Sequence, residues 1–232
     1  MIVGGMLAGG SGSRMKAAAM PKQFLEIAGV PIIVRTLWAF EAEERIEFCV
    51  IAMNPQWVEY CEQLLPRFGI DMSRIRLIHG GAERFSSMRN IVQYCAEVWG
   101  KETVLVIHDC ARPFVSKRIL ADNIEMLEQF DMVTTSVPTI DTVLLSDDGK
   151  RSSRVPNRSE VFLDQGPQTF VAGEFLDLVQ AAPPEKLQEY MEAGRLYLES
   201  KKSVGIVTGD RMNFKITTEF DLRFAEYLMQ DR

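Results

Sequence analysis

The residues able to do chemistry gather in five short stretches. The first follows an apolar run, Ile2 to Leu7, and reads Ala8-Gly9-Gly10-Ser11-Gly12-Ser13-Arg14, with Lys22 beyond it in Met20-Pro21-Lys22-Gln23. Glycines after a buried strand let backbone N–H groups converge on an anion, because no side chain intervenes and positive φ is open to them. Arg14 and Lys22 add the fixed positive charge a polyphosphate needs. The glycines fall as GGxG, so the loop is neither a dinucleotide-binding fingerprint nor a phosphate loop ending in Gly-Lys-Ser/Thr. An ordinary tight turn would account for the glycines; it would not require Arg14 or Pro21-Lys22-Gln23.

The second stretch, Gly80-Gly81-Ala82-Glu83-Arg84-Phe85-Ser86-Ser87, is a glycine turn entering a helix, with Ser86 or Ser87 expected as its N-cap. It follows a strand, which puts it at the sheet edge where open α/β folds bind ligands. In the third, the apolar run Thr103 to Ile107 opens into His108-Asp109-Cys110-Ala111-Arg112-Pro113-Phe114. A carboxylate at a strand end can hold a divalent cation or sugar hydroxyls, and it can equally serve as a structural cap. His108 is not required as a base if the nucleophile is a phosphate monoester oxygen, which is competent at neutral pH. Cys110 reads as packing.

The fourth stretch, 138–168, carries Asp141-Thr142, an Asp148-Gly149 turn, Val155-Pro156-Asn157-Arg158 and Gln165-Gly166-Pro167-Gln168. Two β-prone runs about an Asp-Gly turn predict a long projecting hairpin, whose apolar edges need a cover. The simplest cover is a second copy of the chain. Arg158 offers a planar fork suited to phosphate oxygens. The fifth stretch, Asn213-Phe214-Lys215-Ile216-Thr217-Thr218, leads into a terminal helix capped by Thr217 or Thr218.

The elements that must position these residues follow from periodicity. Uniformly apolar strands at Phe48–Met53, Ile75–Ile78, Thr103–Ile107, Met132–Val137 and Ser203–Thr208 alternate with amphipathic helices at Pro31–Phe40, Gln56–Phe68, Ser116–Phe130, Phe175–Gln180 and Leu187–Glu199. The predicted fold is α/β: a Rossmann-like, mainly parallel sheet with helices on both faces and a protruding β-arm. With no linker, repeat or low-complexity tract, residues 1–232 are expected to form one domain, with 138–168 as the arm. The formal charge of −6 argues against a nucleic-acid surface. Four cysteines without a CxxC pair suggest buried thiols in a reducing compartment, and no apolar stretch is long enough for a membrane span. A cytoplasmic protein is expected.

Taken in order, LAGGSGSRM, MPKQFLEIAGVPI, GGAERFSS, HDCARPF, VPNR, DQGPQTF and NFKITTEFDL resemble the polyol-phosphate cytidylyltransferases, the family of the methylerythritol-phosphate and ribitol-phosphate enzymes. The likeness spans the chain. It implies transfer of CMP from CTP to a polyol phosphate with release of pyrophosphate, and a Mg²⁺ ion beside Asp109. It assigns Arg14, Lys22 and Lys215 to catalysis, and Leu7, Ala8, Gly9, Gly10, Gly81, Arg84, Ser87 and Asp109 to CTP. Arg112, Asp141, Thr142, Arg158 and Gln168 are assigned to the acceptor, the arm reaching across a homodimer. The Arg14 to Lys22 spacing, VPNR and DQGPQTF are more similar to the ribitol-5-phosphate branch, whereas Met191-Glu192-Ala193-Gly194 departs from the Thr-Asp-Glu segment of the methylerythritol branch. A non-catalytic nucleotide-binding module, or a uridylyl- or guanylyltransferase sharing the loop, stays open on the sequence.

Overall fold

The structure, a computed structural model, describes residues 1–10 and 20–230; Arg14 lies outside the described residues. Strand β1 (Ile2–Ala8) is followed by a two-stranded ribbon, β2 (Glu26–Ile27) with β3 (Val30–Pro31), and by helix α1 (Ile32–Glu41). Next come β4 (Ile46–Met53), α2 (Val58–Leu64), β5 (Ile75–His79), α3 (Arg84–Trp99), β6 (Val104–Asp109), α4 (Lys117–Met126) and β7 (Met132–Pro138). The chain closes with β8 (Phe162–Val171), α5 (Ala172–Ala181), α6 (Pro184–Leu187), α7 (Ala193–Glu199), β9 (Val204–Thr208) and α8 (Glu219–Gln230).

Seven strands form one sheet in the order β5-β4-β1-β6-β8-β7-β9, and β8 alone runs against its neighbours. Both faces are covered, so the strands are apolar on both sides, as expected of a mainly parallel sheet. On one face Met6, Ile51 and Val106 pack with Phe40 of α1 and Leu120 of α4. On the other, Val3, Val50 and Leu105 pack with Ile91 of α3 and Phe175 of α5. The chain leaves β1 toward β4 on one side and later returns to β6 on the other, so the strand order reverses between β1 and β6. The crevice at such a switch point, beyond the strands' carboxyl ends, is where open α/β sheets bind ligands. Here it lies beside Leu7 and Asp109, which are register partners.

Three expectations are corrected. The helix expected over Gln56–Phe68 is α only from Val58 to Leu64, with 3₁₀ turns at Pro55–Trp57 and Leu65–Phe68. Pro66 lacks the N–H that would continue the α-helical ladder. The helix expected over Leu187–Glu199 is divided, because the Glu192 carboxylate accepts from the N–H groups of Gly194 and Arg195 and starts α7 afresh. The hairpin expected within 138–168 is realised differently: the long antiparallel pair is β7 with β8, and the segment between them has a single bridge, Leu145 to Arg154. Its Ile140, Leu144, Leu145 and Val155 are exposed. Among the described residues no helix is long and apolar enough to cross a membrane.

Candidate active site

Among the described residues, the cleft at the switch point is assembled from five segments of the chain. The end of β1 brings Leu7 and Ala8, followed by Gly9 and Gly10. The cradle is less contorted than its glycines suggest, since neither Gly9 nor Gly10 has positive φ. What glycine supplies is space: among the described residues a Cβ on Gly10 would meet nothing within 4 Å. A 3₁₀ turn, Lys22–Phe24, then seats Lys22 on the rim, its Nζ donating to the Ile216 carbonyl at 2.9 Å. Gln23 is buried beneath it and donates to the Ala8 carbonyl at 2.7 Å, tying this turn to the cradle.

The opposite wall is the start of α3. Its cap is Glu83, not Ser86 or Ser87: Glu83 and Ser86 form a reciprocal capping box. Ser87 instead faces back, accepting from the Gly81 N–H at 3.0 Å and donating to the Glu83 carbonyl at 3.0 Å. Gly81 is required by close approach, because a Cβ there would lie 2.2 Å from the Ser86 hydroxyl oxygen and 2.8 Å from its backbone carbon.

The floor is the end of β6. Asp109, its side chain 12% exposed, receives Arg84 Nε at 3.0 Å and Lys215 Nζ at 2.7 Å, with Arg112 Nε 3.8 Å away. Burial alone would push its pKa up, but Arg84, Lys215 and Arg112 outweigh it and hold the carboxyl well below the usual carboxylate range. Lys215 arrives on the loop before α8, anchored by the Ile216 N–H to Ala111 carbonyl bond at 2.9 Å. Among the described side chains that line the cleft, the cations Lys22, Arg84 and Lys215 outnumber the carboxylates Glu83 and Asp109 by one. Such a cleft accepts a polyanion, and any phosphate that enters competes with Asp109 for Lys215.

The cleft therefore gathers Leu7, Ala8, Gly9, Gly10, Lys22, Gly81, Arg84, Ser87, Asp109 and Lys215. The other candidates lie elsewhere. Arg112 sits behind Asp109 and donates to the Asn213 carbonyl at 2.9 Å and the Asp164 carbonyl at 3.4 Å. Gln168 is buried, its amide joining Glu192 Oε2 at 2.9 Å and the Ala193 N–H at 3.1 Å. It holds the start of α7 and does not face the cleft. Asp141, Thr142 and Arg158 are exposed in the segment between β7 and β8, with Arg158 on the Ile140 carbonyl at 3.2 Å. They do not line this chain's own cleft.

Sequence reasoning missed three contributors. The Met191 carbonyl accepts Arg84 Nη1 at 2.9 Å, so the segment before α7 steadies the residue that meets Asp109. Gln23 and Glu83 line the cleft too; a Glu with Ser three residues later at a helix start was the available signal for Glu83.

His108 is kept out of the chemistry. It is buried with Nε2 3.2 Å from the Arg112 carbonyl and its ring against Phe40, and burial lowers its pKa to about 4. A histidine that folding holds neutral stabilises the native state above its unfolded pKa, and that stability is lost as pH falls from about 6.5 toward about 4. The His108 imidazole is expected to show no titration between pH 5.5 and 8 when followed by NMR; a midpoint near 6.5 would contradict its burial.

The geometry agrees with the comparisons. The sequence profile described as "IspD: 2-C-methyl-D-erythritol 4-phosphate cytidylyltransferase" matches residues 2–231. A ribitol-5-phosphate cytidylyltransferase of Streptococcus pneumoniae (strain CGSP14) is 34% identical over 233 aligned residues, covering 99% of each chain. Among solved structures, the 4-diphosphocytidyl-2C-methyl-D-erythritol synthase of Anaerococcus prevotii DSM 20548 superposes with a TM-score of 0.82 at 24% identity, over 99% of this chain and 96% of that one. The 2-C-methyl-D-erythritol 4-phosphate cytidylyltransferase of Thermus thermophilus gives 0.74 at 25% identity, over 99% of this chain and all of the other. With the profile match running through nearly every residue and a cationic cleft where the fold binds ligands, the chain belongs to the 2-C-methyl-D-erythritol 4-phosphate cytidylyltransferase family and is a cytidylyltransferase.

Proposed function

We propose that this cytidylyltransferase joins CMP from CTP to D-ribitol 5-phosphate, forming CDP-ribitol and pyrophosphate. The observation that supports this acceptor is the similarity, over 99% of both chains, to an enzyme named for ribitol 5-phosphate. The cleft supports the chemistry. The triphosphate lies along Gly9 and Gly10, with the start of α3 beside the nucleoside. An acceptor phosphate oxygen attacks the α-phosphorus in line, and pyrophosphate leaves. The phosphate oxygen needs no base, so the protein contributes positioning and charge stabilisation. Lys22 and Lys215 neutralise charge on the α-phosphate and the leaving group. Arg14, outside the described residues, completes the cradle in this reading.

Asp109 fits a role beside Mg²⁺: it is an ionised hard-oxygen donor next to the phosphate site, and magnesium is commonly held by one carboxylate plus substrate phosphates. Among the described residues no group of three His, Cys, Asp or Glu side chains forms a metal cage, so the phosphates would complete the shell. Bound there, the ion would supply Lewis-acid neutralisation of the departing phosphates.

The exposed apolar side chains between β7 and β8, with Phe162 and Leu163 next to them, support a homodimer in which Asp141, Thr142 and Arg158 serve the neighbouring site. A cytoplasmic location fits the same reading. A second acceptor, 2-C-methyl-D-erythritol 4-phosphate, is favoured by the family description and the solved relatives. Pyrophosphate release from CTP with each acceptor offered separately decides between them. Turnover with ribitol phosphate is expected, and turnover with methylerythritol phosphate alone would overturn the assignment.

A further inference from the structure

Two carboxylates stand at the carboxyl-end edge of the sheet near the switch point, and their surroundings differ. Asp109 ends β6 and is met by three cationic side chains. Asp164 lies near the start of the antiparallel neighbour β8, beyond the last β6–β8 register pair, Ile107 with Gln168. Arg112, which stands behind Asp109, donates to the Asp164 carbonyl at 3.4 Å, so Asp164 neighbours the cleft without lining it in this chain. The Asp164 side chain is reached by solvent, yet it has no ion pair among the described residues. Its hydrogen-bond partner there is the Thr134 hydroxyl, on Oδ1 at 2.5 Å, which leaves Oδ2 with open lone pairs.

The solvent-facing edge of Asp164 is hydrated, and a ligand hydroxyl can take the place of that water. Burial among surrounding protein atoms pushes its pKa up, and Glu192 adds to the rise; Thr134, Arg84 and Arg112 pull it back only in part. A carboxylate without a cationic partner, near a polyanion site, repels phosphate. What it can take are neutral donors, and an acyclic polyol supplies a row of them.

We propose that Asp164 recognises hydroxyl groups on the acceptor's polyol chain and so selects a polyhydroxylated phosphate monoester over an alkyl one. The assignment rests on the reading that the acceptor is a polyol phosphate. In that arrangement the cationic cluster around Asp109 takes the phosphate end, and Oδ2 of Asp164 accepts from the chain.

The test pairs the enzyme side chain with the substrate hydroxyls. A hydrogen bond to a charged group contributes about 1.5–3 kcal/mol, so Asp164→Ala is expected to lower kcat/KM for D-ribitol 5-phosphate about ten- to hundredfold. For pentyl phosphate, which keeps chain length and phosphate but lacks the hydroxyls, the change should stay within about twofold. KM for CTP should also stay within about twofold. Where pentyl phosphate turns over too slowly to follow, its inhibition constant against ribitol phosphate gives the same comparison. Asp164→Asn, near-isosteric, guards against loss of folding and is expected to show the same selectivity at smaller size. Equal losses with both phosphates, or none with ribitol phosphate, would overturn the role of Asp164 while leaving the function standing. If no polyol phosphate turned over with CTP, the functional reading would fall and this assignment with it.

Discussion

Lys22→Ala is expected to lower kcat for pyrophosphate release about 10²–10³-fold while the protein stays folded. The magnitude is that of removing one preorganised group from a developing oxyanion, and phosphoryl transfer leaves little else for the protein to supply. The fold should tolerate the change, because Lys22 is half-exposed on the rim and the buried contacts of its turn come from Gln23 and Phe24. Its aim comes from tertiary structure: Nζ is held by the carbonyl of Ile216, next to Lys215. Two cations are thereby fixed at one place by residues nearly 200 positions apart. Lys22→Arg should recover part of the rate, since charge is kept and reach is altered. A variant with unchanged kcat would remove Lys22 from the mechanism. A loss confined to KM for CTP would make it a uniform binding contact instead.

Asp109→Ala is expected to cost both stability and activity. Removing one partner of a buried ionic cluster leaves the others uncompensated, typically at about 3–5 kcal/mol. Here Arg84, Lys215 and the Arg112 behind them would be left facing one another. Urea unfolding at pH 7 measures the loss. Its pH dependence carries a sign that can be checked. The folded-state pKa of Asp109 is depressed, so its stabilisation is complete above the unfolded carboxylate value and disappears as pH falls through the folded one. The gap between wild type and variant should be widest above about pH 5 and close in stronger acid. Stability unchanged by the substitution at neutral pH would mean that Asp109 does not neutralise this cluster. Turnover should fall with it, because Arg84 and Lys215 lose the anchor that aims them into the cleft.

Both predictions depend on contacts that local pattern does not contain. Much was legible without them. The apolar runs at Ile2–Leu7, Phe48–Met53 and Val104–Ile107 have few ways to be stable other than as strands covered on both faces, and strands joined by amphipathic helices pack as a mainly parallel sheet. A ligand site at the carboxyl ends follows from that topology, and the glycine turns after β1 and β5 marked it. Side-chain chemistry limited the ligand to something anionic. Cap residues were partly legible: Ser116, where a helix was expected to begin, caps α4 through the Ile119 N–H, and Thr218 starts α8 in a mutual pairing with Asp221.

Tertiary structure decided the rest. Nothing in the residues of β8, FLDQGPQTFV, states which way the strand runs, so its reversal, and with it the position of Asp164 beside Arg112, came only from pairing in the sheet. Gln168 reads as a site residue in sequence and serves as a strut in space, because the start of α7 lies against it. The break before α7 is in part local, since Glu192 caps the N–H groups of Gly194 and Arg195, and Gln168 holds that carboxylate from across the fold. The sequence by itself determined the fold class, the binding edge and the sign of the ligand's charge, which follow from local periodicity and residue chemistry. Which cation meets which carboxylate was left to packing, because Lys215 and Asp109, 106 residues apart, are brought to 2.7 Å only when β6 and the loop before α8 settle on the same edge.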